Sequence, residues 1–360
     1  MRRARYPGTV PRVPEPPLVG VIRIYELACN AMGSPFYGEL LDRMAGDVAA
    51  AGPVGQFLDG RLDSTYEEAV PLRFLGGIHR LVLAGQAPEL AERFPSVGGD
   101  GDAARAWPAV LDALQAHDAV VRDALTRPPQ TNEVGRSAAL VGGFLVVARD
   151  TRLPLRVLEV GSSAGLNLRF DGYWYEADGA TYGDPASPVR FAGQWKDGRP
   201  PFDARLEIAE RRGCDRDPID AGTEDGRLTL LSYVWPGPTE RFAMLRAALD
   251  VARRVPVLID RADIPEWLVG QLREPATRRA TVVFHSITWQ YLTDHERAAA
   301  ETELASAGGR ATPDAPLAWL RLEPSADRSH PELRVTTWPG GEERLLAHCH
   351  YHLGPVRWVA

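Results

Sequence analysis

The stretch "VLEVGSSAGLN", residues 157–167, runs from an apolar segment into a turn of small residues. Gly161 and Gly165 bracket Ser162, Ser163 and Ala164, so a ligand could approach the backbone closely. A helix starting after the turn would also offer free N–H groups. Glu159 stands two positions before Gly161, at the end of the expected strand. A carboxylate there repels a pyrophosphate and suits a cationic or amine-bearing ligand. The dinucleotide fingerprint G-x-G-x-x-G is absent, because Ser163 replaces the second glycine and Leu166 supplies no third. The bland alternative is a tight strand-to-helix junction that holds nothing.

Other residues carry chemistry only in combination. In "TVVFHS", His285 and Ser286 are adjacent, so on a strand they face opposite ways and cannot pair as base and nucleophile. His285 remains open as a general base or as a hydrogen-bonded structural histidine. In "QTNEVGR", Asn132, with Thr131 as alternative, is expected to cap a helix, with Glu133 near its positive end. Arg136 would share a face with Asn132 and could reach a substrate carboxylate or the methionine end of a cofactor; capping alone would also explain the segment. "HCHYH" puts His348, His350 and His352 on one face of a regular strand, a conceivable zinc arrangement. A hairpin strand with one wet face is the preferred reading, and no metal is expected. Trp289 and Tyr291 would line an acceptor pocket or serve as core aromatics; His79 and His117 fall in helical patterns and read as structural.

Composition removes whole classes. Lys196 is the only lysine among 41 basic residues, so no Gly-Lys-Ser/Thr phosphate loop is possible. Lys196 lies in a polar turn-like stretch, which disfavours a pyridoxal-phosphate Schiff base. Cys29, Cys214 and Cys349 are odd in number and far apart, which speaks against a disulfide framework and for the cytoplasm. A net charge of −7 gives no general attraction to nucleic acid. No apolar run is long enough to span a bilayer. Residues 1–18, basic and then proline-rich, read as a disordered tail without the apolar core of a secretory signal.

The elements that must position these residues fall into two regions. Residues 19–150 read as helical, an N-terminal cap region. "SPFYGELLDRMAGDVAA" starts at Ser34-Pro35, "YEEAVPLRFLGGIHRLVLAG" follows, and "AWPAVLDALQAHDAVVRDALTR" reads as one long helix. From residue 151 onward short apolar runs alternate with helices: "LRVLEVG", "RLEIAERRGCD", "VPVLID", "ATVVFHS" and "LAWLRLE". This is the pattern of a parallel sheet covered on both faces. "ELRVTTW", "PGGEE" and "RLLAHCHYH" then form a β-hairpin.

With those residues in view, the sequence resembles class I S-adenosylmethionine-dependent methyltransferases, and more closely an uncharacterised bacterial family of that fold. The likeness runs from about Ser34 to the C-terminus, on "QTNEVGR", "LEVGSSAGLNL", "YGDPASPV", "GCDRDPID" and "TVVFHSITWQYL". It implies a Rossmann-like α/β domain over 151–360, with a mostly parallel seven-stranded sheet ending in a C-terminal hairpin. It also implies S-adenosylmethionine as cofactor, whose sulfonium and amino group suit Glu159. Glu159, Gly161, Ser163 and Gly165 would form the first cofactor-binding motif. Asp215, with Asp217 second, would hold the ribose hydroxyls; Asp263, in preference to Asp260, would meet the adenine amino group. Ser286 and His285 would lie beside the transferred methyl, with His285 and Arg136 as catalytic candidates.

Two departures stand out: Ser163 replaces a common glycine, and about fifty residues separate Glu159 from Asp215 where a bare unit needs roughly thirty. Residues 171–204 are therefore an insertion, expected as an ordered loop over the site. The functional expectation is a methyltransferase acting on a small-molecule acceptor. The alternatives are a non-catalytic S-adenosylmethionine or nucleotide-binding protein of the same fold and, behind it, a nicotinamide-dependent oxidoreductase. The acceptor and the oligomeric state are not legible in the sequence.

Overall fold

A computed structural model describes residues 15–237, 239–352 and 354–360. It divides into two compact units: residues up to Pro129 with Trp235–Thr239, and Gln130–Val234 with Glu240–Ala360. Residues 1–14 of the expected tail lie outside the described residues, and Pro17 and Leu18 already belong to the first helix.

The first unit holds α1 (Pro17–Ala31), α2 (Pro35–Ala49), α3 (Pro53–Phe57), α4 (Val70–Leu83), α5 (Pro88–Ala91), α6 (Ala103–Ala116) and α7 (Asp118–Thr126). Its helices bury apolar stripes in one cluster containing Ile22, Leu40, Phe74, Val110 and Val121. Proline sets several starts, as expected for Ser34-Pro35: its missing N–H costs nothing in a first turn. Two expectations are corrected. Tyr66–Glu68 is a separate 3-10 turn, and α4 begins only after Ala69, whose φ of +51° breaks the helical path. The long helix expected over 106–127 divides at His117, where φ is −133°. No strand occurs among the described residues before Leu155.

The second unit is mixed α/β. It contains α8 (Ser137–Thr151), β1 (Leu155–Val160), β2 (Trp174–Ala177), β3 (Ala180–Gly183), β4 (Arg190–Ala192), β5 (Trp195–Asp197), β6 (Ile208–Asp215) and α9 (Glu224–Ser232). The chain continues through α10 (Thr239–Ala252), β7 (Leu258–Arg261), α11 (Ile264–Gln271), β8 (Ala280–Ser286), α12 (Asp294–Gly309), β9 (Leu317–Pro324), β10 (Pro331–Trp338), β11 (Glu342–His348) and β12 (Val356–Trp358). The large sheet has nine strands, not the expected seven, in the order β5-β12-β11-β10-β9-β8-β1-β6-β7. β7, β6, β1, β8 and β9 are parallel neighbours, so the five strands expected from the apolar runs adopt the order third, second, first, fourth, fifth. β8 is buried at every position, as a parallel strand covered on both faces must be. The chain then turns back as an antiparallel meander, β9-β10-β11-β12.

The two extra strands have a local cause. β12 adds to the meander, and β5, from the insertion, pairs in parallel with β12 at the sheet edge. Five strands separate β5 from β1, so this part of the insertion extends the sheet and does not cover the glycine turn. The remainder folds as a small sheet, β3-β2-β4, around Tyr175 stacked on Phe191 at 5.1 Å.

α8 packs against β8, β9, β10 and β11, and thus belongs with the sheet and not with the N-terminal helices. Gly142 and Gly143 make that approach possible: a Cβ would stand 2.4 Å from Trp358 in one case and 2.4 Å from Leu320 in the other. The opposite face of the sheet carries a second cluster, in which Leu158, Val160 and Val283 meet Trp267 and Leu268 of α11 and Leu304 of α12. No described helix is long and apolar enough to cross a membrane.

Candidate functional site at the end of the first parallel strand

Strand alternation decides where Glu159 points. Leu158 and Val160 face the α11–α12 cluster, so Glu159 faces the α8 side. Its register partners are Gly213 on β6 and Phe284 on β8, and Phe284 meets Phe144 of α8 edge-on at 5.0 Å. Glu159 is 2% exposed and its Oε2 has no hydrogen-bond partner. Burial pushes this carboxyl well above the usual range, with the Asp215 charge adding and the Arg169 and Arg136 charges opposing.

The turn that follows is built around alternate left-handed residues: Gly161 (φ +70°), Ser163 (φ +52°) and Gly165 (φ +64°). Five of its N–H groups are engaged within the chain. Gly161 and Ser162 both donate to Cys214 O, at 2.9 and 3.0 Å, and Gly165 donates to Ser162 O at 2.7 Å. Ser163 N donates to Asp215 Oδ2 at 2.8 Å, and Leu166 N donates to Asn132 Oδ1 at 2.8 Å. The expected helix after the turn is only a 3-10 segment, Asn167–Gly172. The segment is too short to present the N-terminus of an α-helix, and two of the donors leading into it, Ser163 N and Leu166 N, are taken by Asp215 and Asn132. Thr288 closes the turn from β8's end: a Cβ on Gly161 would lie 2.4 Å from Thr288 Cγ2.

A polar layer braces the turn from the 130–137 segment. Ser163 Oγ donates to Gln130 Oε1 at 2.7 Å, and Ser137 Oγ donates to Asn167 Oδ1 at 2.7 Å. Arg169 is buried and donates to Ala164 O, Gly165 O and Val255 O at 2.8–3.0 Å. Asn132 does not cap the helix after it; Glu133 does that at the 3-10 turn, accepting from Gly135 N at 3.1 Å. Burial alone would raise the Glu133 carboxyl. The His352 hydrogen bond at 3.1 Å and Arg241 at 2.6 Å outweigh it and hold Glu133 well below its ordinary value. A cavity of about 10 Å³, room for one water, lies between residues 131–134 and Leu230, Val234, Arg241 and Leu245.

The remaining expected residues separate. Asp215 is at the turn, with Oδ1 accepting from Asp217 N at 2.9 Å and Oδ2 from Ser163 N. Asp263 is not: it is exposed and pairs with Arg216 at 2.6 Å. Asp260 is bidentate with Arg212, and Asp217 pairs with Arg261. Ser286 faces the α8 side, where the half-buried Arg136 guanidinium donates to its carbonyl at 2.9 Å and to Tyr351 O at 3.2 Å. His285 faces the other way. Its Nδ1 lies 2.6 Å from Glu323 Oε1, its Nε2 accepts the Trp319 indole N–H at 3.1 Å, and Trp289 stacks on the ring at 3.9 Å. Indole nitrogen can only donate, so Nε2 is the acceptor of this bond and both ring nitrogens of His285 are engaged. Tyr291 is exposed and lines nothing.

The histidine expectation also changes. β11 ends at His348, so His350 and His352 leave the strand and the shared face is lost. His348 instead meets His330 and Glu332. The braces missed from sequence were Gln130, Arg169, Thr288, Glu323 and Arg241. "QTN" before a helix was a visible signal for Gln130; the others meet the site only through long-range packing.

Residues 23–358 match the model of a family described as "Uncharacterized protein conserved in bacteria (DUF2332)". The chain belongs to that family. No curated protein and no solved structure matches it.

Proposed function

We propose that the protein binds S-adenosylmethionine at the turn following β1 and transfers its methyl group to a small-molecule acceptor. One observation carries the reading: five of the turn's N–H donors, those of Gly161, Ser162, Ser163, Gly165 and Leu166, are spent internally, while a buried side-chain oxygen of Glu159 has no partner. Such a site has few donors left for a pyrophosphate and a buried carboxyl oxygen that lacks a partner. An ammonium or sulfonium group supplies the complement that burial denies this carboxylate. The position agrees with the general rule that ligands of open α/β sheets bind outside the carboxyl ends of the strands near the order reversal, which here lies between β1 and β8.

In this reading Glu159 holds the cationic end of the ligand, and Asp215, whose two oxygens each accept one N–H, retains lone pairs for ribose hydroxyls. Bound there, the cofactor would supply an electrophilic methyl group on a sulfonium whose sulfur leaves as a neutral thioether. The chain contributes positioning and exclusion of water. Thr288 closes Gly161, so the 287–291 turn must shift to admit a ligand; Glu323 Oε1, accepting from Thr288 N and Trp289 N, is its anchor. Asp263, paired at the surface, and His285, turned to the other face, are given no role.

His285 is engaged by Glu323, Trp319 and Trp289 on the other face, and in this reading the carboxyl groups at the turn are used in holding the ligand. That favours, as a second reading, a protein that binds the cofactor without transfer. Calorimetry with S-adenosylmethionine, its demethylated product and NAD tests the first step. Binding of either adenosyl compound, weakened in Glu159→Gln, is expected; a preference for NAD, or no adenosyl binding, overturns the proposal. Consumption of the methyl donor in the presence of candidate acceptors then separates the enzyme from the binder.

A further inference from the structure

On the face of the sheet opposite Glu159, a second constellation is built by strand geometry. Glu332 on β10 and His348 on β11 are direct register partners, and His330 precedes Glu332 by two positions. Alternation and pairing therefore bring all three side chains to one face. His330 Nε2 lies 2.8 Å from His348 Nδ1, and Glu332 Oε1 lies 3.8 Å from each of these nitrogens. Two ligands of a shared zinc-like ion, each about 2.1 Å from it, stand about 3.0–3.4 Å apart. The observed separations bracket that range, so sub-ångström side-chain motion closes the site.

We infer that His330 Nε2, His348 Nδ1 and Glu332 Oε1 form a binding site for a divalent transition-metal ion of the zinc type, with at least one coordination position left to solvent. Two imidazoles and one carboxylate are a donor set for such ions, and three protein ligands leave room for a water or an external ligand. The surroundings orient the ligands. Ser329 Oγ stands 2.8 Å from His330 Nδ1 and donates to Asp327, while Arg334 Nε takes the other oxygen of Glu332 at 2.8 Å. This second layer fixes which ring nitrogen of His330 and which oxygen of Glu332 face the centre. A second carboxylate stands on the neighbouring strand, while Arg334 balances part of the Glu332 charge. Glu332 is the register partner of Glu323, whose Oε2 is buried without a partner. The three ligands stay partly exposed, with side-chain exposures of 38%, 16% and 34% for His330, Glu332 and His348. Cys349 is buried, its thiol pushed up to about 12 by desolvation, and it takes no part.

Three strands separate β11 from β1, and the site stands apart from the proposed cofactor turn. The test uses the full chain, stripped with chelator and titrated with Co²⁺ and Zn²⁺. One equivalent is expected to bind, with cobalt absorption bands in the visible and displacement by zinc. His330→Ala and His348→Ala should each weaken binding by about 100-fold or more, and Ser329→Ala by about tenfold. His350→Ala should leave binding unchanged. Circular dichroism confirms that each variant is folded; His330, on the loop before β10, is the substitution least coupled to folding. Absence of stoichiometric binding, or binding indifferent to both His330→Ala and His348→Ala, overturns the inference and leaves the two histidines as a hydrogen-bonded pair. Adenosyl-ligand binding measured on the same samples keeps failure of this site distinct from failure of the cofactor reading.

Discussion

Replacing Glu159 by glutamine isolates the charge that the fold refuses to bury. The side chain is 2% exposed, and one carboxylate oxygen has no partner. Burial raises its proton affinity well above that of an ordinary glutamate, whose pKa is about 4.3. Below that value both folded and unfolded chains hold the proton, and Glu159 costs nothing through ionisation. Above it the unfolded chain loses the proton, while the folded chain must keep it or bury a bare charge. Stability is thus lost as pH rises from about 4.3 through the raised folded value. The slope is at most about 1.4 kcal/mol per pH unit, so between pH 5 and 7 up to about 2.7 kcal/mol is at stake. Glu159→Gln cannot ionise and escapes this term. Thermal melts of both proteins at pH 4, 5, 6 and 7 measure it. The variant's melting temperature should gain on the parent's as pH rises, by about 2–4 °C per kcal/mol for a unit of this size. A difference constant from pH 5 to 7 would refute the placement of Glu159 as a buried, partnerless acid. With a cationic ligand bound, the pH dependence should shrink, because the ligand supplies the missing partner.

Glu133→Gln should act in the opposite sense. Glu133 is held below its ordinary range by its partners, so its contribution is present above about pH 4.3 and lost as pH falls. Removing the charge leaves the half-buried Arg241 without its charged partner, at a cost of about 1–3 kcal/mol at pH 7, read by urea unfolding. Asp215→Ala should weaken adenosyl-ligand binding in calorimetry and cost about 1–3 kcal/mol by orphaning Ser163 N, whereas Asp263→Ala, which breaks an exposed pair, should cost about 0–1 kcal/mol and leave affinity unchanged. Equal effects of the two would reject the distinction between them.

Apolar patterning was enough to locate all five parallel strands and the hairpin, since burial on two faces demands uninterrupted apolar runs such as "TVVFHS". It also placed most helices, because a 3.6-residue stripe and a starting proline are local properties. The strand Glu159 ends, and the need for alternating small residues after it, were equally legible: left-handed backbone and close packing leave their mark on composition. What the sequence alone could not decide was the use of those groups. Whether the turn's N–H donors are free depends on Asn132 and Asp215, which arrive from 34 and 52 residues away. In the sequence His285 is open between a base and a hydrogen-bonded structural group, and only the packed sheet shows that Trp319, on the neighbouring strand, places an N–H on one of its nitrogens. The "HCHYH" run suggested three histidines on one face, but the strand stops at His348, and its partners come from the adjoining strand through register. Local sequence sets backbone preference and burial; hydrogen-bond partners and ligand sets are pairings between distant segments, and only the packed sheet assigns them.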